Sequence, residues 1–359
     1  MKTRVPRVQS LPVIVLFALL LTGGNVSAAG FSSLYTFGDS LSEVGSNPSA
    51  EMGLYKILGN NCDPTHLCSP LGPYFEGRIS DGRVATEYLA DSLFPGGGTS
   101  ANFHSYAVAG ATSGVGNSGD GGTATEPGDL LPGPIPLPIP GILPLPGMRG
   151  EVEQYMEDSG RQADPDALYF VWGGANDYVT QDSPVGAAQN IAGYVSELAA
   201  AGATHFLVPN LADLGHTPYA RDKGEEAQGR AFSLSFNETL AARLGDVSSQ
   251  FPAADIFQFD TYSFLNGVIE NPSDYKFTDV QNACLALDCD TPGSFLYWDN
   301  FHPTTHAHSV IAAAFASAVP EPGIVAMFIG GLFVLGIAAS RRRKLEYAYR
   351  MFKATRLAR

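Results

Sequence analysis

The sequence predicts an α/β fold in which helices cover both faces of a central, mostly parallel five-stranded sheet. Five short apolar runs alternate with helical patterns along the chain. The runs are apolar at nearly every position, which indicates strands that are buried on both faces, as in parallel sheets. The predicted strands cover residues 34–37, 106–111, 167–172, 205–209 and 255–259. The predicted helices cover 84–94, 150–160, 187–202 and 225–245, and a last one begins at Pro303 and runs to Ala318.

Polar or small residues follow three of these strands, where active sites of parallel sheets lie. Ser40 comes just after the first strand, Gly110 closes the second run, and Asn176 follows the third. Backbone N–H groups of Ser40 and Gly110 and the side-chain amide of Asn176 are donors of the kind that stabilise an oxyanion. The sequence therefore predicts an oxyanion hole at this edge of the sheet.

A base for Ser40 is found in the stretch "WDNFHPTTHAHS". Asp299 and His302 are three residues apart, so the carboxylate can accept the Nδ1 proton of the imidazole while Nε2 faces Ser40. We therefore expect Ser40 as nucleophile, His302 as general base and Asp299 as the group that orients it. Each of these residues has an ordinary structural interpretation when taken alone, such as a helix cap for Ser40.

A metal site is an alternative use of the same region. His302, His306 and His308 could bind a metal together with Asp299, because residues four apart share a helical face. No H-E-x-x-H pattern or following carboxylate supports it, and we expect neither a metal nor another cofactor.

Four blocks resemble the GDSL lipase/esterase family of the SGNH hydrolase superfamily, in the family's order: "FGDSL" with Ser40, "YAVAGA" with Gly110, "GAND" with Asn176 and "DNFHPT" with Asp299 and His302. The resemblance implies a flavodoxin-like, three-layer α/β/α sandwich and hydrolysis of carboxylic esters through an acyl-enzyme. The chain departs from the family's usual second block, since Ser105 and Ala109 replace an Asn and a Gly. These two replacements change the rim of the predicted site, and the glycine expected in the oxyanion hole is retained as Gly110.

The resemblance leaves the substrate open. The chain is 45% hydrophobic and 16% charged, which excludes a disordered protein, and its net charge of −15 opposes binding to nucleic acid. A small-molecule or lipid ester is the first expectation. An acetyl-polysaccharide esterase or an acyltransferase at the cell surface is the alternative, and a non-catalytic surface binding protein is a further one.

Both ends of the chain have the pattern of export signals. Residues 1–29 combine basic residues, a short apolar run and small residues, which predicts a signal peptide. Residues 319–344 resemble a PEP-CTERM sorting signal, with a Pro-Glu-Pro triplet, an apolar membrane segment at 324–339 and an Arg cluster; a basic tail covers 345–359. The resemblance implies processing by an exosortase-like transpeptidase. We expect the hydrolase domain, residues 30–318, at the cell surface or in the medium after processing, and otherwise membrane-anchored outside the cytoplasm.

Two further features lie within that domain. Its cysteines, Cys62, Cys68, Cys284 and Cys289, fit two local disulfides in an oxidising compartment, although three pairings are open and a reactive thiol or a zinc site is the alternative. The insertion at 126–150 is rich in proline and predicts an extended strap that cannot join the sheet. Its apolar residues form either a wall beside the acyl site or a loop docked elsewhere; they are Leu131, Ile135, Leu137, Ile139, Ile142 and Leu143.

Overall fold

The computed structural model describes residues 30–44, 74–128, 144–319 and 340–342. Residues Phe31–Val319 form one compact unit. The remaining residues form a second unit, of which only Gly30 and the short helical stretch 340–342 are described. Among the described residues no helix has the length and apolar character needed to cross a membrane. The predicted membrane segment at 324–339 lies outside them.

The larger unit contains a five-stranded sheet whose strands are all parallel, in the order β2-β1-β3-β4-β5. The prediction of an α/β fold with a central, mostly parallel five-stranded sheet is thus confirmed. The strands are β1 Leu34–Gly38, β2 Phe103–Ser105, β3 Leu168–Trp172, β4 His205–Pro209 and β5 Asp255–Phe259. A small separate sheet pairs β6 Asp279–Ala283 with β7 Phe295–Tyr297.

The described helices follow the predicted order. They are α1 Ala85–Leu93, α2 Met148–Asp158, α3 Ala175–Val179, α4 Pro184–Ala200, α5 Pro218–Lys223, α6 Glu226–Gln250, α7 Thr261–Glu270 and α8 Thr305–Ala318. Helices α2, α4 and α6 pack on one face of the sheet, and α1 and α8 contribute to the core on the other. Three layers result, because a sheet that is apolar on both faces has to be covered on both.

The central strand β3 shows how the two cores arise from one apolar run. All five of its residues are buried. Successive side chains of a strand point to opposite faces, so Tyr169 and Val171 join the core under α2, α4 and α6, whereas Phe170 and Trp172 join the core under α1 and α8.

Helices α2, α4 and α6 begin or end up to five residues from their predicted bounds, and the second strand and the start of the last helix were misplaced. The second strand comprises 103–105, and the run predicted at 106–111 follows its end. In that run the N–H of Val108 is shared between the carbonyl of Gly38 and the carboxylate of Glu151, at 3.2 Å each. The regular strand pairing therefore ends before Val108. The last helix begins at Thr305, with Thr304 as its N-cap, and Pro303 instead forms a bridge with Tyr297.

Candidate active site

The candidate nucleophile lies just beyond the carboxyl end of β1. The strand ends at Gly38, and Ser40 follows in a turn that Asp39 stabilises by accepting the N–H of Leu41 at 3.0 Å. Ser40 is 7% exposed. Its Oγ lies 2.7 Å from Nε2 of His302, although the two residues are 262 positions apart in the chain.

The imidazole of His302 is held by Asp299 on its other side. Nδ1 lies 2.8 Å from both carboxylate oxygens of Asp299. The same carboxylate accepts the backbone N–H groups of Phe301 at 2.8 Å and His302 at 2.7 Å, and the hydroxyl of Tyr74 at 2.8 Å. Burial opposes ionisation, but the contact with His302 and these N–H donors lower the pKa of Asp299 to about 2. An ionised Asp299 fixes the proton on Nδ1, so Nε2 faces Ser40 as an acceptor.

The backbone N–H groups of Ser40 and Gly110 donate to no protein atom within the described residues. Gly110 has a φ of +81°, and a Cβ there would lie 2.3 Å from Oδ1 of Asn117. Only glycine suits this position, since both the backbone conformation and the space exclude a side chain. Both N–H groups are therefore free to bind an oxyanion.

The third expected donor, Asn176, lies in the first turn of α3, directly after β3. Its Nδ2 donates one proton to the carbonyl of Ala111 at 2.9 Å, and its Oδ1 accepts from Oγ of Ser118 at 3.3 Å. Ser118 Oγ also lies 3.0 Å from the carbonyl of Gly110, to which it can donate. These contacts hold the carboxamide against the segment that carries Gly110, and the second proton on Nδ2 has no protein acceptor among the described residues.

Residues 34–315 match the family model described as GDSL-like Lipase/Acylhydrolase. The chain belongs to this family. It is therefore a carboxylic ester hydrolase.

Individual relatives are distant but cover most of the chain. Acetylajmalan esterase 2 of Rauvolfia serpentina is 23% identical, covering 83% of this chain and 93% of the relative. A GDSL esterase/lipase of Arabidopsis thaliana is 22% identical, covering 84% of this chain and 95% of its own. Among solved structures, a lipolytic protein of the G-D-S-L family from Veillonella parvula covers 80% of this chain and 97% of its own, with 12% identity and a TM-score of 0.39.

In this GDSL hydrolase the other two histidines of the metal alternative lie in separate environments. Nδ1 of His308 accepts the N–H of Ala85 at 3.2 Å, and burial lowers the pKa of His308 to about 3. Nε2 of His306 lies 2.9 Å from the carbonyl of Tyr275, to which it donates. Among the described residues no three His, Cys, Asp or Glu side chains are grouped as a metal site.

Sequence reasoning missed several polar residues around the site. Tyr74 and Ser118 contact Asp299 and Asn176, respectively. The carboxylates of Glu43 and Glu151 accept backbone N–H groups close in sequence to Gly110 and Ser40. One signal was available for Glu151: it lies on the face of its helix that also carries the buried Val152, where an acidic residue is out of place. Nothing in the local pattern singled out the others.

A cavity of about 510 Å³ adjoins the imidazole of His302. Its polar groups are those of Tyr74, Asp299, Asn300 and His302, and the rest of its lining is apolar: Ala283, Leu285, Ala286 and Phe301. The cavity suits an acyl or alkoxy group of an ester, because apolar walls with few polar groups bind and orient small ligands.

The structure joins Cys284 and Cys289 by a disulfide. Cys62 and Cys68 lie outside the described residues, as do residues 129–143 of the proline-rich insertion with all six apolar residues of the proposed wall. The described part beyond that gap is fixed near the site, because the N–H of Leu145 donates to Oδ2 of Asp120 at 2.7 Å.

Proposed function

We propose that this chain is an exported serine esterase that hydrolyses carboxylic esters through an acyl-enzyme on Ser40. The observation that carries the proposal is the continuous hydrogen-bonded relay from Ser40 Oγ through His302 to Asp299. Its geometry is that of an activated nucleophile, with a base in reach of the hydroxyl and an acid that orients the base.

In the proposed reaction His302 Nε2 takes the proton of Ser40 as Oγ bonds to the ester carbonyl carbon. The negative charge on the carbonyl oxygen is stabilised by the N–H groups of Ser40 and Gly110 and by the amide of Asn176. The carbonyl re-forms as the bond to the leaving alkoxide breaks, and His302 gives that oxygen its proton. Water then attacks the acyl-enzyme by the same steps and releases the acid.

The test is replacement of the nucleophile in the purified protein. We expect S40A to lower the hydrolysis of p-nitrophenyl acetate by at least about 10³-fold, since the residual rate comes from binding and the oxyanion hole alone. Mass spectrometry of the wild type treated with a phosphonate ester should show one adduct, on Ser40. S92A changes a serine on the exposed part of α1 and should keep full activity. Retained activity in S40A would refute the proposal and favour a binding protein or another catalytic group.

Acetylated polysaccharide is a second candidate substrate, and a second cavity favours it. This cavity, of about 280 Å³, is lined by the rings of Tyr178, Tyr219 and Phe232, by the amides of Gln181 and Gln228, and by Val179, Lys223 and Glu225. Rings combined with amide groups suit a neutral sugar, which has apolar faces and many hydroxyl groups.

The cavity lies near the catalytic histidine, because the Tyr219 ring packs on Phe301 at 5.4 Å, next to His302. If sugar binds there, Q181A and Q228A should raise KM for an acetylated polysaccharide several-fold and leave p-nitrophenyl acetate hydrolysis unchanged. Equal effects on both substrates would exclude this role. Transfer of the acyl group to an added alcohol would identify an acyltransferase.

The export part of the proposal is supported by the sequence patterns of residues 1–29 and 319–344. It assigns residues 30–318 to the hydrolase domain and the C-terminal segment to membrane insertion before processing by a transpeptidase. Fractionation of cells that express the full chain tests it. Activity in the medium or on the cell surface, with both ends removed, is the expected result, and full-length protein in the cytosol would contradict it.

A further inference from the structure

Two buried carboxylates accept the backbone N–H groups that precede the free donors of the site. Glu151 accepts the N–H of Gly38 at 2.8 Å with Oε2 and the N–H of Val108 at 3.2 Å with Oε1. Glu43 accepts the N–H of Ala109 with Oε2. Both glutamates are 0% exposed.

These contacts join the two segments that supply the backbone donors. Gly38 precedes Ser40 by two residues at the end of β1, and Val108 precedes Gly110 by two residues beyond β2. Glu151 reaches both segments from α2, which is a third element. Because both of its oxygens are engaged, one side chain fixes the spacing between the nucleophile turn and the Gly110 loop.

We propose that Glu151 and Glu43 are positioning residues that hold the N–H groups of Ser40 and Gly110 in the geometry required for oxyanion binding. This inference rests on the proposed esterase mechanism. The carboxylates do not contact the substrate; they act through the peptide units on which the donors lie. A displacement of about 1 Å at such a site costs up to about 10²-fold in rate.

The location of these acids is costly, which argues for a role. Burial raises the pKa of Glu151 well above its usual value, and the neighbouring Asp39 and Glu43 add to the effect. Both oxygens of Glu151 accept backbone N–H groups, which offsets part of the cost of its burial. An apolar core would avoid this cost.

The test compares E151Q with the wild type. Glutamine has the same shape but only one acceptor oxygen, so its NH2 group faces either the N–H of Gly38 or that of Val108 and one bond is lost. We expect kcat on p-nitrophenyl acetate to fall about 10- to 100-fold, with KM changed less than about 3-fold, because an oxyanion donor acts mainly in the transition state.

A second readout separates positioning from folding. An alkyl trifluoromethyl ketone forms a tetrahedral adduct with Ser40 and places an oxyanion in the same hole. Its affinity should fall in E151Q by the same factor as kcat/KM. E43Q should show the same pattern, and it serves as the test if E151Q does not fold.

E197Q is the matched control. Glu197, on α4, pairs at 2.7 Å with Arg149 of α2, the helix that also carries Glu151. Its side-chain hydrogen bonds among the described residues go to Arg149 and not to either donor segment. It should lower stability without changing kcat or ketone affinity by more than about twofold. The inference is overturned if folded E151Q and E43Q keep wild-type kcat and ketone affinity. It fails separately from the proposed function, which S40A tests.

Discussion

The carboxamide of Asn176 shows how single side chains set the chemistry of this site. A carboxamide can rotate, and its oxygen would repel an oxyanion. Here the Ser118 hydroxyl shares its one proton between Oδ1 and the carbonyl of Gly110, and the carbonyl of Ala111 accepts one proton from Nδ2. Contacts on both atoms therefore fix the orientation. In the proposed mechanism the remaining Nδ2 proton binds the oxyanion.

We expect S118A to lower kcat/KM for p-nitrophenyl acetate about tenfold, because Asn176 loses the hydrogen bond that fixes its Oδ1. Loss of a whole oxyanion donor costs about 10²- to 10³-fold, and misorientation should cost less. S309A is the control, since Ser309 donates to a carbonyl of its own helix at 2.7 Å and lies outside the site. Equal rates for S118A and the wild type would show that Asn176 is oriented without Ser118.

At the scale of elements, the segment between β7 and α8 carries both Asp299 and His302. It is held at its two ends, because the N–H of Trp298 donates to the carbonyl of His302 at 2.7 Å and Tyr297 pairs with Pro303. The hydroxyl of Ser80 donates to the carbonyl of Pro303 at 2.9 Å. The imidazole is thus presented by a turn that is closed on itself rather than by a free loop.

A second turn, closed by the disulfide between Cys284 and Cys289, lies against this segment and lines the larger cavity with Leu285 and Ala286. We expect the double variant C284S/C289S to lose about 2 kcal/mol of stability, the value for a loop of this size. Its selectivity between acetyl and hexanoyl esters should also change. Denaturant unfolding and kinetics on both esters measure these effects. Unchanged selectivity would show that the acyl group does not bind in this cavity.

At the scale of the whole molecule, buried acids make stability depend on pH. Burial raises the pKa of Asp39 to about 6 and that of Asp177 to about 7. The folded protein therefore keeps protons that the unfolded chain has released above about pH 4, so the free energy of unfolding falls as pH rises through these values. His308, whose pKa is lowered to about 3, acts in the opposite sense, but only below about pH 6.5.

We expect the midpoint of urea unfolding to decrease between pH 6 and pH 8. D177N should flatten most of this decrease, since it removes the buried group that titrates near 7. D246N is the control, because Asp246 has a side chain that is 71% exposed and changes the net charge equally. A midpoint that rises over this range, or an identical slope in D177N, would contradict the assignment.

The local pattern of the sequence was enough to predict the strands of the sheet centre. The runs at 34–37, 167–172, 205–209 and 255–259 all contain or lie within observed strands. The central strand β3 is buried and apolar at all five positions, as expected for a strand covered on both faces, whereas the edge strand β5 exposes Asp255 and Gln258. The second run was misplaced. Residues 106–111 are also largely buried, and the N–H groups of Tyr106 and Val108 still donate to carbonyls of β1. The N–H groups of Val108 and Ala109, however, donate to the carboxylates of Glu151 and Glu43, and the regular pairing with β1 ends there.

By itself the sequence determined the alternation of strands and helices and the pairing of Asp299 with His302, since both follow from short-range spacing. Only the tertiary structure decided that Ser40 meets His302 across 262 positions, and that Tyr74, Ser118 and Glu151 support the site. The physical reason is that hydrogen bonds between distant segments depend on how the layers pack. The sequence pattern around a single buried glutamate does not indicate which distant N–H groups it binds.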